Sequence, residues 1–298
     1  MKRVLVVGEP LVELLDESPA IGRHGFGGDA LNLAVYLARE SPELHVMLAS
    51  AAGDDRDSDS LLAFCRDEGV DGSHIRRVVG ARLGRYRVTV DRSGERAFEY
   101  QRSVSPFRRA LAGEDALPDP GSVDALCFSG ITLAVLHDAG RRTLFDYSLA
   151  VRGGGGILVY DPNHRPALWA DSADAREWAT RIARIGDVFL ASKEDGRRLT
   201  DADTALGIAT SFRAMGVSEV VVTDGPGPCV VAHDAGVIEI PAGDVGSVVD
   251  TTAAGDAFDA GYVAARLGGD DPEGSARAGH KLASTVVGHR GALIPRRH

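Results

Sequence analysis

The stretch GILVYDPNHRPALWADSADAREWATRIARIGDVFLAS, residues 156–192, holds two periodicities. GILVYD and DVFLAS are short apolar runs bounded by polar residues and read as buried strands, whereas SADAREWATRIARIG between them has the spacing of an amphipathic helix. Working outward, further runs recur at RVLVVG (3–8), LHVMLAS (44–50), VDALCFSG (123–130) and EVVVTDG (219–225). Helical patterns separate most of them, at 29–40, 59–69, 137–152 and 203–216. Buried strands alternating with helices predict an α/β fold, a mainly parallel sheet flanked by helices on both faces. Gly153–Gly156 follows a helix and precedes a strand, so it reads as a C-cap plus tight turn rather than a linker.

One region breaks the pattern. GRYRVTVDRSGERAFEYQR (84–102) alternates with period two around a Ser-Gly pair, predicting an antiparallel hairpin outside the main sheet. With residues from 9–26 it is expected to form a small β lid. Its alternation puts Glu99 and Gln101 on one face and Tyr100 and Arg102 on the other.

Composition narrows the function. The 298 residues are enough for one large α/β domain or two small ones, and the expectation is a single domain over 1–298. A net charge of −10 gives no footprint for nucleic acid and would be repelled by acidic lipid. No apolar run approaches the roughly 20 residues of a membrane helix. The N-terminus reads as a strand, not a secretory signal. Cys65, Cys127 and Cys229 lack metal-ligand spacing and suit a reducing cytosol as small core residues.

The chemistry concentrates in DTTAAGDAFDAGYVAARLGG, residues 250–269. Phe258, Tyr262 and Ala265 share one helix face, and the Gly268–Gly269 pair ends it, so the helix starts near Gly255. Ala253, Ala254 and Gly255 leave its first amides open to an anion. Asp256 in that turn is placed as a base toward a hydroxyl attacking phosphorus, with a carboxyl of ordinary pKa near 4. As a plain first-turn acid it would need no such bare loop. Neither GxxxxGK[ST] nor a dinucleotide fingerprint occurs, which argues against a dehydrogenase.

DTTAAGDAF resembles the D-T-x-G-A-G-D signature of the ribokinase-like (PfkB) carbohydrate kinases. GFGGDALNLAVYLARE (25–40), YDPNHRPALW (160–169) and VVVTDGPGPCVV (220–231) resemble three further elements of that family, in order. Within it, the likeness is greatest to the 2-keto-3-deoxygluconate kinases, whose loop shares Ala253 where other members have Gly. An alanine there can still offer its amide if the loop needs no positive φ.

The resemblance implies a ribokinase-like fold and ATP-dependent phosphorylation of the 6-hydroxyl of 2-keto-3-deoxygluconate, with Mg²⁺. It makes Asp256 the base and Ala253, Ala254 and Gly255 the anion hole. Gly27, Gly28, Asp29 and Asn32 match its sugar-site element, although Asp29 would also serve as a helix cap. Tyr86, Tyr100, Asp161 and Asn163 match sugar-site positions, and Arg102 and Arg165 match arginines suited to the acid's carboxylate. Thr223, Gly225, Gly227 and His280 stand at nucleotide-side positions. Glu194 matches a carboxylate that positions Mg²⁺ through water, with Ala191 in place of the family's Asn. Glu99, Gln101, His164 and Asp224 depart from the pattern. Fructose or 2-keto-3-deoxygalactonate as acceptor, and a silent sugar- or nucleotide-binding regulator, remain open. A cytoplasmic protein able to dimerise through the lid is the further expectation.

Overall fold

The computed structural model describes residues 1–15, 23–90, 96–111, 116–243 and 245–296. The expected Ser-Gly turn of the hairpin and part of the expected 9–26 lid segment lie outside these residues.

The strands are β1 (Arg3–Val7), β2 (Leu11–Leu15), β3 (Arg23–Gly27), β4 (His45–Ala52), β5 (Ile75–Arg77), β6 (Gly84–Val90) and β7 (Arg96–Gln101). They continue with β8 (Ala125–Ser129), β9 (Ile157–Asp161), β10 (Val188–Ser192), β11 (Glu219–Thr223), β12 (Cys229–His233) and β13 (Gly236–Ile240). The helices are α1 (Asp29–Glu40), α2 (Arg56–Asp67), α3 (Gly130–Val135), α4 (Asp138–Gly153) and α5 (Ser172–Ala183). After them come α6 (Lys193–Leu199), α7 (Ala205–Met215), α8 (Ala254–Gly268) and α9 (Pro272–Val287).

Among the described residues, nine strands form one sheet in the order β13-β12-β11-β10-β9-β8-β1-β4-β5. From β11 to β5 all neighbours are parallel, and β12 and β13 close one edge antiparallel. Alternation along β1 explains why its run is apolar throughout. Val4 and Val6 pack in a core with α1, α8 and α9, while Leu5 and Val7 pack in a second core with α3, α4, α5 and α7. The three cysteines are free and buried in these cores, and burial pushes each thiol up to about 12.

The hairpin forms as expected, β6 pairing with β7 in a separate sheet of order β3-β2-β6-β7. Residues on both sides of Gly8–Pro10 therefore belong to different sheets, which makes that short link a junction. The tetraglycine ends α4 at Gly153, and Gly155 takes the left-handed conformation at φ 90 before β9.

Parallel strands all end on one side, and side chains just past those ends converge there. Ser129, Asp161, Ser192 and Thr223 close β8, β9, β10 and β11, and each lines the cavities beside α8. Open α/β sheets bind ligands at this carboxyl edge.

Candidate active site

A cleft of about 900 Å³ runs along the strand ends, floored by the 250–259 segment and overhung by Tyr86, Tyr100 and Arg102. The floor loop is held at Asp250. Its Oδ1 accepts from the Thr252 amide and hydroxyl at 3.0 and 2.7 Å, and its Oδ2 from the Gly291 amide at 2.6 Å. Beyond it Ala253 takes the left-handed conformation, φ 61 and ψ 17, and α8 begins. The condition placed on this alanine thus fails. It occupies a conformation that costs an L-residue about 1–2 kcal/mol.

The anion hole also needs correction. The Ala254 amide is spent on the Thr251 carbonyl at 3.2 Å. The amides of Ala253, Gly255 and Asp256 have no acceptor among the described residues, so Asp256 supplies a donor that the sequence did not suggest. A Cβ built on Gly255 meets nothing within 4 Å, so the space over this turn is open. No side chain caps the helix. The turn therefore fits a phosphate on its own geometry.

Asp256 Oδ2 accepts from Asn32 Nδ2 at 2.7 Å. Burial, and next the nearby Asp29, raise its carboxyl to about 7, against opposing help from Asn32 and Arg165. This corrects the expectation of an ordinary acid, since a base near 7 accepts a proton far more readily at neutral pH.

Asp29 is not a cap. Gly28 holds the N-cap position at φ 111 without a side-chain cap bond, and Asp29 instead accepts from the Ser129 hydroxyl and, at 3.4 Å, from Asn163 Nδ2. The glycines ahead of it are sterically required. A Cβ on Gly27 would lie 2.4 Å from the Tyr86 hydroxyl, and one on Gly28 would lie 2.4 Å from the Glu9 carbonyl. Asn163 itself sits at φ 31, its amide bonded to Asp161 Oδ1 at 2.8 Å.

Beneath Asp256 lies a residue that sequence reading missed. Asp259, one helical turn on, faces Asp161 within hydrogen-bonding reach, and both line a small cavity with Asp29, Asp256 and Ser129. Burial first raises both carboxyls well above the ordinary range, with the charge of Asp195 next at Asp161 and that of Asp161 next at Asp259. An i, i+3 Asp pair was visible in DAFD, but only the fold brings Asp161 opposite the second.

Three arginines line the walls. Arg165 projects into the cleft, its Nη1 donating to the His164 carbonyl at 3.2 Å and lying 3.8 Å from Asp195. Arg198, also unforeseen, lines the same wall. His164 is buried there, and desolvation lowers its pKa. Arg102 reaches the cleft over the Tyr100 ring, 4.6 Å from its centroid, and pairs with Glu9. Tyr100 stands 5.8 Å from Tyr86, whose hydroxyl donates to Glu13 at 2.8 Å. Glu99 and Gln101 are exposed and absent from the cleft walls, as strand alternation predicted.

At the other end the assignments divide. Thr223 and Ala191 line the cleft, but Gly225 and Gly227 lie in the turn beyond it, Gly225 at φ 55. His280 does not line it. That ring is buried edge-on against Phe258 at 5.1 Å, and burial lowers its pKa. It supports the cleft wall through Phe258 rather than facing a ligand. Asp224 now has an explanation, since Lys193 Nζ donates to its Oδ2 at 2.7 Å. Glu194 lines the cleft with its side chain 77% exposed, and accepts from Arg198 at 2.8 Å. Among the described residues no three His, Cys, Asp or Glu cluster as a metal site. Glu194, the most exposed carboxylate lining the cleft, fits a cation carried mainly by phosphate and water.

A sheet whose carboxyl edge carries an acid–asparagine pair, an open amide turn and arginines fits phosphoryl transfer to a hydroxyl. The chain belongs to the pfkB family of carbohydrate kinases, which it matches over residues 1–297. It is 35% identical to the 2-dehydro-3-deoxygluconokinase of Escherichia coli K12, covering 99% of this chain and 98% of that protein. Among solved structures it is similar to a PfkB protein from Polaromonas sp. JS666, with TM-score 0.86 and 26% identity over 96% of both chains. It also shares its fold with a fructokinase from Xylella fastidiosa with bound ATP. There the TM-score is 0.84 at 23% identity, covering 97% of this chain and 93% of that one.

Proposed function

We propose that this protein is a 2-dehydro-3-deoxygluconokinase, moving a phosphoryl group from ATP to the 6-hydroxyl of 2-keto-3-deoxygluconate. The observation that carries the reading is the juxtaposition, at the floor of one cleft, of the Asp256 carboxylate with unpaired amides at the start of α8. The amides of Ala253, Gly255 and Asp256 bind the migrating phosphoryl oxygens. Asn32 holds Asp256 Oδ2, so Oδ1 faces the acceptor alcohol and takes its proton as the bond to phosphorus forms. The reaction is in-line transfer, driven by positioning and by neutralising developing charge.

The acid substrate is favoured by the arginines. Arg102 and Arg165 line the cleft, and a guanidinium fork suits a carboxylate. Tyr86 and Tyr100 cover the sugar, and the four-stranded sheet closes over it to exclude water, residues 9–26 and 84–104 acting as a lid on one kinase domain. Glu194, which accepts from Arg198, would hold Mg²⁺ through water, and the ion would supply neutralisation of phosphate charge. Among the described residues no helix is long and apolar enough to cross a membrane, which accords with a cytoplasmic enzyme. Dimerisation through the outer face of the lid is the further expectation.

The deciding experiment is an ATP-consumption assay against 2-keto-3-deoxygluconate, 2-keto-3-deoxygalactonate, fructose and other neutral hexoses. Turnover of 2-keto-3-deoxygluconate with kcat/KM at least about tenfold above each alternative supports the reading. A neutral hexose used better than either acid would overturn the choice of acceptor, and no turnover of any would leave a binding protein.

A further inference from the structure

We infer that Glu9 is the resident counter-ion of Arg102, and that the carboxylate of an acidic substrate displaces it, Glu9 taking up a proton as that substrate binds. The inference rests on the sugar-acid reading above and adds to it a mechanism of selectivity.

Glu9 follows β1 of the main sheet, and Arg102 follows β7 of the smaller one, so the pair bridges the two sheets. Their side chains are 1% and 12% exposed, and Arg102 Nε lies 3.4 Å from Glu9 Oε2. The contact is incomplete. Among the described residues, both Glu9 oxygens and Arg102 Nε and Nη1 are buried without a hydrogen bond of good geometry. A guanidinium normally matches a carboxylate with two parallel bonds, so this one is held near its partner but not consumed by it. Stacked on Tyr100 in the cleft wall, the same guanidinium is available to an incoming anion.

The groups facing Glu9 set the direction of proton movement. Among the described residues these are Arg102 at the end of β7, Ser105 and Arg108 from the segment after it, and Asp29 from α1. Burial holds the Glu9 carboxyl above its ordinary value, with Asp29 adding to that and Arg102, Ser105 and Arg108 opposing it. A buried carboxylate keeps its charge only while a cation compensates it. Once a substrate carboxylate shares Arg102, two anions compete for one guanidinium. Glu9, fully desolvated, is the one that takes a proton from solvent. A neutral sugar brings no second anion and leaves the pair intact.

The test is calorimetric titration of the full-length protein with 2-keto-3-deoxygluconate, without nucleotide, in two buffers of different ionisation enthalpy. Fructose serves as the neutral comparison, and Glu9→Gln as the variant. The expected result is uptake of a fraction of a proton by the wild type with the acid, beyond any seen with fructose, and loss of that excess in Glu9→Gln. Between about pH 6 and pH 8 affinity for the acid should weaken roughly three- to tenfold more in the wild type than in the variant, the change common to both belonging to Asp256. If the variant does not fold, difference infrared spectroscopy of the wild type replaces it. A new protonated-carboxyl band should then appear with the acid and not with fructose. Equal proton uptake in wild type and variant, or no such band, overturns the exchange while leaving the acid substrate standing. No binding of the acid to the wild type overturns both.

Discussion

Asn32 Nδ2 and Asp256 Oδ2 meet at 2.7 Å although they lie 224 positions apart, tying the first helix of the fold to the first turn of α8. The bond commits one carboxylate oxygen and leaves the other for chemistry. Among the described residues the Asn32 carbonyl oxygen is buried without a partner, which leaves the opposite end of that amide unclaimed by them. It is a ready acceptor for a second substrate hydroxyl.

The raised carboxyl of Asp256 makes activity pH-dependent. Only the ionised form accepts a proton, so kcat/KM should climb tenfold per pH unit below about 7 and level off above it. Asp256→Asn should lose at least about a thousandfold in kcat while binding ATP nearly as well. Near-normal turnover in that variant would remove Asp256 from the role of base.

The same residue should cost stability. A folded pKa raised from 3.8 to about 7 means its favourable contribution is complete below the unfolded value and is lost as pH rises through about 7. Asp256→Asn should therefore be more stable than the wild type by about 1–3 kcal/mol at pH 8, with little difference at pH 4. Thermal unfolding at the two pH values checks this, and a variant less stable at pH 8 contradicts it.

Ala253 is strained, and Gly relieves that strain. Ala253→Gly removes the left-handed penalty at φ 61 but adds unfolded-chain entropy, for a net gain of about 0.5–1 kcal/mol. Ala253→Val, with a branched Cβ in the same conformation, should destabilise by about 2 kcal/mol or more. Denaturant midpoints decide the matter; a loss of stability in the glycine variant would mean that the loop does not hold this conformation.

The two arginines should separate acid from neutral acceptors. Arg165→Ala and Arg102→Ala should each raise KM for 2-keto-3-deoxygluconate about ten- to a hundredfold, with much smaller effects on any neutral hexose. Equal effects on both substrate classes would assign these residues to structure instead.

Lys193 and Asp224 form an exposed pair of little value to stability, under about 1 kcal/mol. Its electrostatic effect on a nucleotide should be larger. Asp224→Ala frees a cation beside the β11 end and should lower KM for ATP a few-fold, whereas Lys193→Ala exposes the acid and should raise it. Steady-state kinetics of the double variant, returning toward the wild type, completes the cycle. Unchanged KM in all three would place the pair away from the nucleotide.

The architecture was legible because its causes are local. The strand period along 156–192, the two-residue alternation of 84–102 and the glycines closing α8 depend on neighbours in the chain. Alternation was enough to send Glu99 and Gln101 outward and bring Tyr100 to the cleft. The catalytic loop was legible for the same reason, since bare residues before an amphipathic helix leave its amides open wherever that helix packs.

What needed the tertiary structure was every quantity set by distant charge and burial. Sequence supplied the carboxyl of Asp256, but desolvation and Asp29 raised it to about 7. It offered Arg102 as a lone cation, and folding set Glu9 against it. Asp224 had no reason until Lys193 came within 2.7 Å, nor Asp259 until β9 brought Asp161 opposite. It suggested His280 as a ligand contact, and packing on Phe258 turned it into a support. Periodicity and steric demand act within a few residues of the chain, whereas electrostatic pairing and dielectric depend on which segments the fold brings together.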